Sequence, residues 1–398
     1  MLSRRGFLRN SAVVAAAGMS PALVGRAARA GAVDSSRRAL VVIELCGGND
    51  ALNTVIPIND VNYRIARPTL AVPRQGALML DKDTALHPAM RAMHELFKRG
   101  QLAIVQGVGY PNPSRSHFRS QEIWHRGTPN PAASTGWLGR SVERMMGQIR
   151  RSCVPVLHIG GQPAEMFRSA KAAGITVCTN EAGKAEVRPM YFDGLGDLAG
   201  PRQSVSPERI AEMTGVDVVR GAAAVESALK RPRAGGVAYP QNRLAKGLSV
   251  FAQMIVGNSG TRLLHITHGG YDTHAMQAET HAQLLGELSS AVGAFLADLR
   301  GEGRDRDVLV MIFSEFGRRV RENGSAGTDH GAAGSMFFAG GAVKGGVYGA
   351  CPSLTDLQDG DLKHTTDFRD CYATVLENWM NVDAGRVLGG HGGRVAVV

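Results

Sequence analysis

Short runs of apolar, often β-branched residues alternate along this chain with stretches whose apolar positions recur at helical spacing. The apolar runs are continuous, which is typical of parallel strands buried on both faces. They cover residues 39–45, 102–108, 262–267 and 307–313. The helical pattern occupies residues 88–99, 279–300 and 367–380. This order predicts an α/β fold of three layers, in which a mostly parallel central sheet is flanked by helices.

The middle of the chain is less regular. Short strands are predicted at residues 154–159 and 175–178, between glycine-rich and charged segments, and residues 206–226 have a weak helical pattern. We therefore predict that residues 31–398 form a single domain and that residues 152–235 are an insertion or cap over the site. A separate small domain is the alternative.

The first thirty residues have the three parts of an export signal in the expected order. Arg4 and Arg5 are followed by an apolar pair, residues 11–24 are uncharged and apolar, and small residues flank Arg29. This predicts a twin-arginine signal peptide cleaved after Ala30, and hence a periplasmic or secreted protein. The apolar stretch is short for a bilayer span, so we expect no stable membrane span after cleavage. An N-terminal helix of the fold is the alternative.

Charge and cysteine content exclude two classes of protein. The net charge of +10 falls by half without residues 1–30, because these contain five arginines and no acidic residue. No basic run with interleaved aromatic residues remains, so we predict that the protein does not bind nucleic acid. The five cysteines are widely spaced and lack a Cys-x-x-Cys motif, which argues against a disulfide scaffold. Cys351 with Cys371, or Cys153 with Cys178, could pair after export; buried thiols are the alternative.

Clusters of polar residues follow the predicted strands. They lie at residues 47–50, 114–117, 268–274, 314–318 and 327–331. Because the carboxyl ends of parallel strands meet at one edge of a sheet, these clusters are expected to converge. Carboxylates and imidazoles together are ligands for zinc, manganese and similar divalent metals. Taken singly, each cluster has an ordinary structural explanation: Asp50 capping a turn, Ser116 capping a helix, His117 packing in a loop, or Asp329 and His330 anchoring a glycine-rich turn.

The order of these motifs resembles that of a family called DUF1501, whose members commonly begin with a twin-arginine signal. The matching motifs are LCGGNDALNTVIP (45–57), YPNPSRSHFRSQEIW (110–124), GGYDTH (269–274), SEFGR (314–318), GTDHG (327–331) and TDFR (366–369). That family is similar in fold to the alkaline phosphatase and sulfatase superfamily. The resemblance implies an alkaline-phosphatase-like fold and metal-dependent hydrolysis or transfer of phosphate or sulfate esters.

The resemblance also implies roles for individual residues. Asp272, His274 and His330 would bind one metal, and Asp50, rather than Glu44, would be the ligand that follows the first strand. Ser116 would be the nucleophile. Arg115 or Arg318 would hold an ester oxygen, with a structural arginine as the alternative. Asn112 stands where a sulfatase has its modified cysteine, which disfavours a sulfatase of the usual kind.

The sequence departs from the superfamily pattern at Glu315 and Phe316. Glu315 keeps a carboxylate, but Phe316 cannot bind a metal, so we predict one metal site rather than two, with Asp50, Ser116 and Glu315 as an altered half-site. The main hypothesis is an exported zinc- or manganese-dependent hydrolase of a small phosphate or related anionic ester. The alternative is a catalytically degenerate protein that binds or assembles a partner of the cell envelope. An oxidoreductase is disfavoured, since the loop after the first strand lacks a Gly-x-Gly-x-x-Gly motif.

Overall fold

The computed structural model describes residues 37–145, 156–160, 164–169, 174–179, 185–190, 223, 226–227 and 236–398. Its strands are β1 (Ala39–Cys46), β2 (Val55–Pro57), β3 (Leu78–Met79), β4 (Thr84–Leu86), β5 (Leu102–Gly109), β6 (Val156–Ile159), β7 (Gly174–Thr179), β8 (Ala185–Met190), β9 (Leu263–Gly269), β10 (Val308–Ser314), β11 (Gly334–Ala339), β12 (Gly346–Tyr348), β13 (Leu357–Gln358), β14 (Asp361–Leu362) and β15 (Thr366–Asp367). Its helices are α1 (Ala51–Thr54), α2 (Val61–Ala66), α3 (Arg91–Lys98), α4 (His117–Arg126), α5 (Trp137–Met145), α6 (Arg243–Val256), α7 (Gln277–Gly301), α8 (Phe368–Thr374), which continues as a π-turn over Val375–Trp379, and α9 (Ala384–Val387).

The described strands include a ten-stranded sheet in the order β12-β5-β11-β10-β1-β9-β6-β7-β8, with β15 also paired to β5. The central strand β1 runs parallel to both of its neighbours, β9 and β10. Antiparallel pairing occurs where β11 lies between β10 and β5, and between β7 and β8 at the far edge. The sheet is therefore mostly parallel, as predicted.

Helices cover both faces of this sheet. On β1, Val41 and Ile43 point into a core that includes side chains of α3, α6 and α7. Leu40 and Val42 point into a second core that includes side chains of α4, α5 and α8. Both faces are buried, which explains why the central strands are continuous apolar runs. The three-layer α/β prediction is confirmed.

Most sequence-predicted elements are present within one to three residues of their expected ends. In the predicted insertion, β6, β7 and β8 extend the central sheet beyond β9. The signal at residues 1–30 and the helical pattern at 206–226 fall almost wholly outside the described residues. The division of the chain into signal, domain and insertion therefore stays a prediction. No helix among the described residues has both the length and the hydropathy needed to cross a membrane. Cys351, on the surface, and Cys371, in the core, are both free thiols.

One carboxylate lies in the middle of the sheet. Glu44 on β1 is 2% exposed and accepts hydrogen bonds from His125 of α4, at 2.9 and 3.0 Å, and from His265 of β9, at 3.3 Å. Burial raises the pKa of Glu44, but the charges and hydrogen bonds of the two histidines outweigh it and lower that pKa well below its ordinary value. Glu44 thus anchors α4 to the sheet and is not available at the carboxyl edge.

Replacing Glu44 with glutamine is expected to lower the free energy of unfolding by about 3 kcal/mol at pH 6, because His125 is left buried without its counter-charge. A carboxylate whose folded pKa is lowered stabilises the protein fully above its ordinary pKa, 4.5, and loses that contribution as the pH falls below it. The difference in free energy of unfolding between the wild type and Glu44→Gln should therefore be smaller by about 1 kcal/mol at pH 3.5. Urea unfolding at both pH values measures this.

Glu95→Gln on the surface of α3 is the matched control and is expected to cause no measurable loss. If the wild type exceeds Glu44→Gln in free energy of unfolding by the same amount at pH 6 and pH 3.5, the proposed ion pair is contradicted.

Candidate metal centre

The predicted polar clusters meet at the carboxyl edge of β1, β9, β10 and β5. The Gly47 amide, just after β1, donates to Oε1 of Glu315, just after β10, at 2.9 Å. Arg318 after β10 reaches Asp272 after β9, and His117, which follows β5, reaches Glu315. The loop that precedes β11 adds His330. Residues from five separate segments are therefore within hydrogen-bond distance of one another.

Three imidazoles and one carboxylate converge in this crevice. Nε2 of His330 lies 3.1 Å from Nε2 of His117 and 2.9 Å from Nε2 of His274. Oδ1 of Asp272 lies 3.1 Å from His330 Nε2 and 3.0 Å from His274 Nε2, and its Oδ2 lies 3.6 Å from His117 Nε2. Ligand atoms of His117, Asp272 and His330 all fall within 4.8 Å of one another. We call His117, Asp272, His274 and His330 the histidine cluster.

The second ring nitrogen of each histidine has an acceptor outside the cluster. His117 Nδ1 lies 2.7 Å from Glu315 Oε1, and His330 Nδ1 lies 2.8 Å from the backbone oxygen of Arg115. His274 Nδ1 lies 3.2 Å from Oδ1 of Asp329. Since carbonyl and carboxylate oxygens only accept, we assign the ring proton to Nδ1 in each neutral imidazole.

This tautomer leaves the Nε2 lone pair of His330 next to those of His117 and His274 and next to the Asp272 carboxylate. Such an arrangement is repulsive unless a cation lies among them. Three histidines and one aspartate are suitable ligands for zinc, and second-nitrogen hydrogen bonds of this kind orient histidines that bind metals. The residues present therefore fit one divalent metal.

Glu315 lies behind the cluster and not in it. The residue is fully buried, and its Oε1 accepts from both His117 and the Gly47 amide, while its Oε2 accepts from Ser314 at 3.0 Å. The hydrogen bond to Glu315 raises the pKa of His117 above its ordinary value. These contacts favour an orienting role for Glu315, through His117, over the direct ligation that the sequence predicted.

Arg318 is 1% exposed and holds the loops of the site together. Its guanidinium donates to the backbone oxygens of Gly47, Gly48, Tyr271 and Thr328 and to Oδ1 of Asp272. Burial raises the pKa of Asp272, but the hydrogen bond and charge of Arg318, together with the neighbouring imidazoles, outweigh it and bring that pKa to about 2. Every nitrogen of Arg318 is engaged, so its contacts favour positioning over the predicted binding of an ester oxygen.

Asp50 is also buried, and its side chain is engaged by other partners. It caps the first turn of α1, pairs with Arg67 at 2.5 Å and accepts from Gln277 at 2.5 Å. Gln277 in turn accepts from Thr273 and Thr328, which flank the cluster. Among the described residues, no hydrogen bond joins Asp50 to the histidine cluster or to Glu315. The predicted half-site of Asp50, Ser116 and Glu315 is thus not brought together by these contacts.

Ser116 and Arg115 lie at the rim of the cluster. Ser116 occupies the N-cap position of α4, is exposed, and makes no capping hydrogen bond through its hydroxyl. Arg115 donates to Oδ2 of Asp361 at 2.7 Å and to the backbone oxygen of Asp359 at 3.2 Å. Its Nη1 has no hydrogen-bond partner among the described residues, which leaves a free donor beside the site.

Two members of the site lie in the predicted polar clusters but were not among the predicted ligands. His117, with loop packing as the structural alternative, and Asp329, with a turn anchor as the alternative, were given no role of their own. Phe316 packs against the rings of His117 and His330, with centroids 4.8 and 5.0 Å away, and so closes the inner side of the cluster. The position of His117 directly after the candidate nucleophile is a sequence signal that could have identified it.

Gly327 allows the loop carrying His330 to approach His274. A Cβ at Gly327 would lie 2.2 Å from the backbone carbonyl of His274. We expect Gly327→Ala to displace His274 and weaken divalent metal binding by about 10- to 100-fold, as losses of orientation around metal ligands do. Competition with a chromogenic chelator measures the metal affinity.

Gly324, in the same loop, provides the matched control, because a Cβ there meets nothing within 4 Å. Gly324→Ala should bind metal as the wild type does. Equal metal affinity in both alanine variants would show that His274 takes no part in binding.

Comparison with known proteins confirms the family that the motifs predicted. Residues 204–397 match the family described as "Protein of unknown function (DUF1501)". No curated protein sequence matches the chain.

The chain is similar to several solved structures at low sequence identity. One is the lipoteichoic acid synthase LtaP from Listeria monocytogenes, with a TM-score of 0.40, 9% identity, and coverage of 89% of this chain and 75% of that one. Another is a protein in the alkaline phosphatase superfamily from Vibrio parahaemolyticus, with a TM-score of 0.40, 11% identity, and coverage of 89% and 69%. The C-terminal periplasmic domain of EcEptC from Escherichia coli, in complex with Zn, has a TM-score of 0.34 and 8% identity, covering 78% and 75%.

Proposed function

Residues 204–397 match the DUF1501 family, and we propose that the protein is a metal-dependent hydrolase of a phosphate or related anionic ester. The observation that supports this proposal is the histidine cluster, in which Nε2 of His330 lies within 3.1 Å of Nε2 of His117, Nε2 of His274 and the Asp272 carboxylate. His117, Asp272, His274 and His330 would hold a single zinc or manganese ion. When bound, such an ion supplies positive charge that polarises an ester oxygen and lowers the pKa of a nearby hydroxyl.

Ser116 is the proposed nucleophile. It stands at the N-terminus of the ten-residue helix α4, where the helix dipole and the free amides of the first turn favour negative charge on its Oγ. In the proposed reaction, Oγ bonds to the phosphorus or sulfur atom as the bond to the alcohol oxygen breaks, and the alcohol leaves with a proton. Water then cleaves the serine ester and restores Ser116. The free Nη1 of Arg115 would hold a non-bridging ester oxygen.

The test compares Ser116→Ala with the wild type in two measurements. Metal content by mass spectrometry should stay near one ion per chain, because Ser116 is not among the ligands. Hydrolysis of p-nitrophenyl phosphate and p-nitrophenyl sulfate should be lost. Ser325 is an exposed serine on a neighbouring loop, and Ser325→Ala should retain both the metal content and the hydrolysis of the wild type. Wild-type protein that folds without a divalent metal would overturn the proposal.

A second function is favoured by one observation. Phe316 packs against both His117 and His330 where the superfamily pattern supplies a second metal ligand. A single-metal protein that binds a partner of the cell envelope, without catalysis, would have this site. Metal-loaded wild-type protein that hydrolyses neither ester would support this candidate over the hydrolase.

We further propose that the protein works outside the cytoplasm. The support is the sequence of residues 1–30, where the three parts of a twin-arginine signal follow one another in the expected order. Residues 1–30 fused to a folded reporter should direct its export, and replacement of Arg4 and Arg5 by lysine should retain the reporter in the cytoplasm. Export that is unaffected by the replacement would contradict this route.

A further inference from the structure

A cavity of about 380 Å³ opens beside the histidine cluster. Its walls come from the segment after β5, from residues 332–333, and from the segment around β14. The lining side chains that matter here are Asn112, Arg115, Gln358, Asp361 and His364. Its size lies in the lower part of the range of small-molecule sites.

The cavity and the proposed metal centre share a wall. Arg115 lines the cavity with its side chain, while its backbone oxygen lies 2.8 Å from Nδ1 of His330. Ser116 is the next residue along the chain, so its Cα is about 3.8 Å from that of Arg115. Ala332, which also lines the cavity, is two residues beyond His330. A molecule in the cavity would therefore lie against Arg115, the residue that precedes the proposed nucleophile.

Two basic side chains at the cavity are paired with carboxylates, whereas the carboxylate of Asp359, which also lines it, has no ion-pair or hydrogen-bond partner among the described residues. Arg115 binds Asp361 at 2.7 Å, and Lys363 binds Asp356. Three lining side chains, those of Asn112, Gln358 and His364, have no hydrogen-bond partner in the part of the chain that the structure describes. They offer both donors and acceptors without net charge.

Asp361 also has an unused acceptor. The residue is 3% exposed, and its Oδ1 accepts no hydrogen bond from the described residues; Nε of Arg319 lies 3.6 Å from it. Burial raises the pKa of this carboxyl above its ordinary value. A buried acceptor without a donor is uncommon in folded proteins. A ligand that brings a donor into this wall would satisfy it.

We propose that this cavity binds a neutral, polyhydroxylated group such as a sugar or polyol. Hydroxyl groups both donate and accept, which suits Asp361 together with the free amides of Asn112 and Gln358. An anionic group would face the carboxylate of Asp361 with no unpaired cation beyond Nη1 of Arg115. On the proposed function, from which this role follows, the cavity holds the alcohol part of the ester while its anionic part lies at the histidine cluster.

Binding can be measured without any turnover. Saturation-transfer NMR and titration would use methyl glucoside and myo-inositol as neutral probes, glucuronate as an anionic probe and cyclohexanol as an apolar one. The two neutral polyols should bind with saturable affinity, and the other two should bind at least tenfold more weakly. Preference for glucuronate or for cyclohexanol would overturn the assigned ligand class.

Variants then place the ligand in this cavity. Asn112 and Gln358 are exposed, and Asn112 has a left-handed backbone (φ 54°) that glycine adopts easily. The double variant Asn112→Gly with Gln358→Ala should therefore fold and should weaken polyol binding about tenfold, through two lost hydrogen bonds. Gln283→Ala on α7 is the matched control. Unchanged polyol affinity in the double variant would overturn the proposal.

The outcome is separable from that of the proposed function. His330→Ala removes a proposed metal ligand, yet it should retain polyol binding within about threefold, since His330 does not line the cavity. Polyol binding by a protein that hydrolyses no ester would support the cavity assignment and reject the hydrolase. Hydrolysis without polyol binding would reject the cavity assignment alone.

Discussion

Replacing His330 with alanine is expected to abolish stoichiometric metal binding. Nε2 of His330 is the central atom of the histidine cluster, within 3.1 Å of His117, His274 and Asp272. Loss of an outer-shell partner of a metal ligand weakens binding by 10- to 100-fold. Loss of this ligand should therefore weaken it by more than about 100-fold, and ester hydrolysis should fall with the metal occupancy. Metal analysis after dialysis against a chelator measures the first effect.

A cysteine at the same position separates the two candidate metals. Thiolate is a good ligand for zinc and a poor one for manganese, which prefers oxygen donors. His330→Cys should therefore recover zinc binding and leave manganese binding weak. His391→Ala, which removes a histidine paired with Asp370 outside the cluster, is the control and should bind metal as the wild type does. Tight metal binding by His330→Ala would mean that the cluster is not the metal site.

The second large effect is a loss of stability, which we expect from Arg318→Met. The buried guanidinium satisfies four backbone oxygens and the Asp272 carboxylate, which would all lose a donor at once. Each buried acceptor left without a donor costs about 1–3 kcal/mol, although water admitted to the gap recovers part of this. We expect the free energy of unfolding to fall by at least about 3 kcal/mol, measured by urea denaturation.

Arg319→Met is the matched comparison, because the Arg319 side chain is 37% exposed, pairs with Asp361 at 3.6 Å and donates to one backbone oxygen, that of Asp359, at 3.1 Å. Long ion pairs made by a solvent-exposed arginine contribute less than about 1 kcal/mol. The experiment also decides between the two roles considered for Arg318. A stable Arg318→Met protein with a raised KM and normal metal content would restore the substrate-binding role predicted from the sequence.

Much of the fold was accessible from the sequence because local and tertiary requirements coincide. The run 39–45 is apolar at every position but Glu44, and the structure buries both of its faces, so pattern and environment agree. The long helix over 279–300 was equally clear, since its apolar stripe packs on the sheet. The convergence of the loops after β1, β9 and β10 followed from parallel strand direction alone.

The roles of individual polar residues depended on partners distant in sequence. Asp50 and Glu315 had the right chemistry and the right place along the chain for metal ligands. Their oxygens are engaged by Arg67, by Gln277 and by His117, and no spacing rule predicts which of these partners reaches them. The same reason explains His117, whose ring joins the cluster because Glu315, 198 positions away, holds its other nitrogen.

By itself, the sequence determined the layered α/β architecture, the family and the set of loops that carry the chemistry. These properties follow from periodicity and strand direction, which are local. Only the tertiary structure decided which side chains face the candidate metal and which hold them in place, because that choice depends on pairwise contacts across five segments. It also decided that a cavity with several uncharged polar side chains is lined by Arg115, the residue before Ser116, since its walls come from segments more than 200 residues apart.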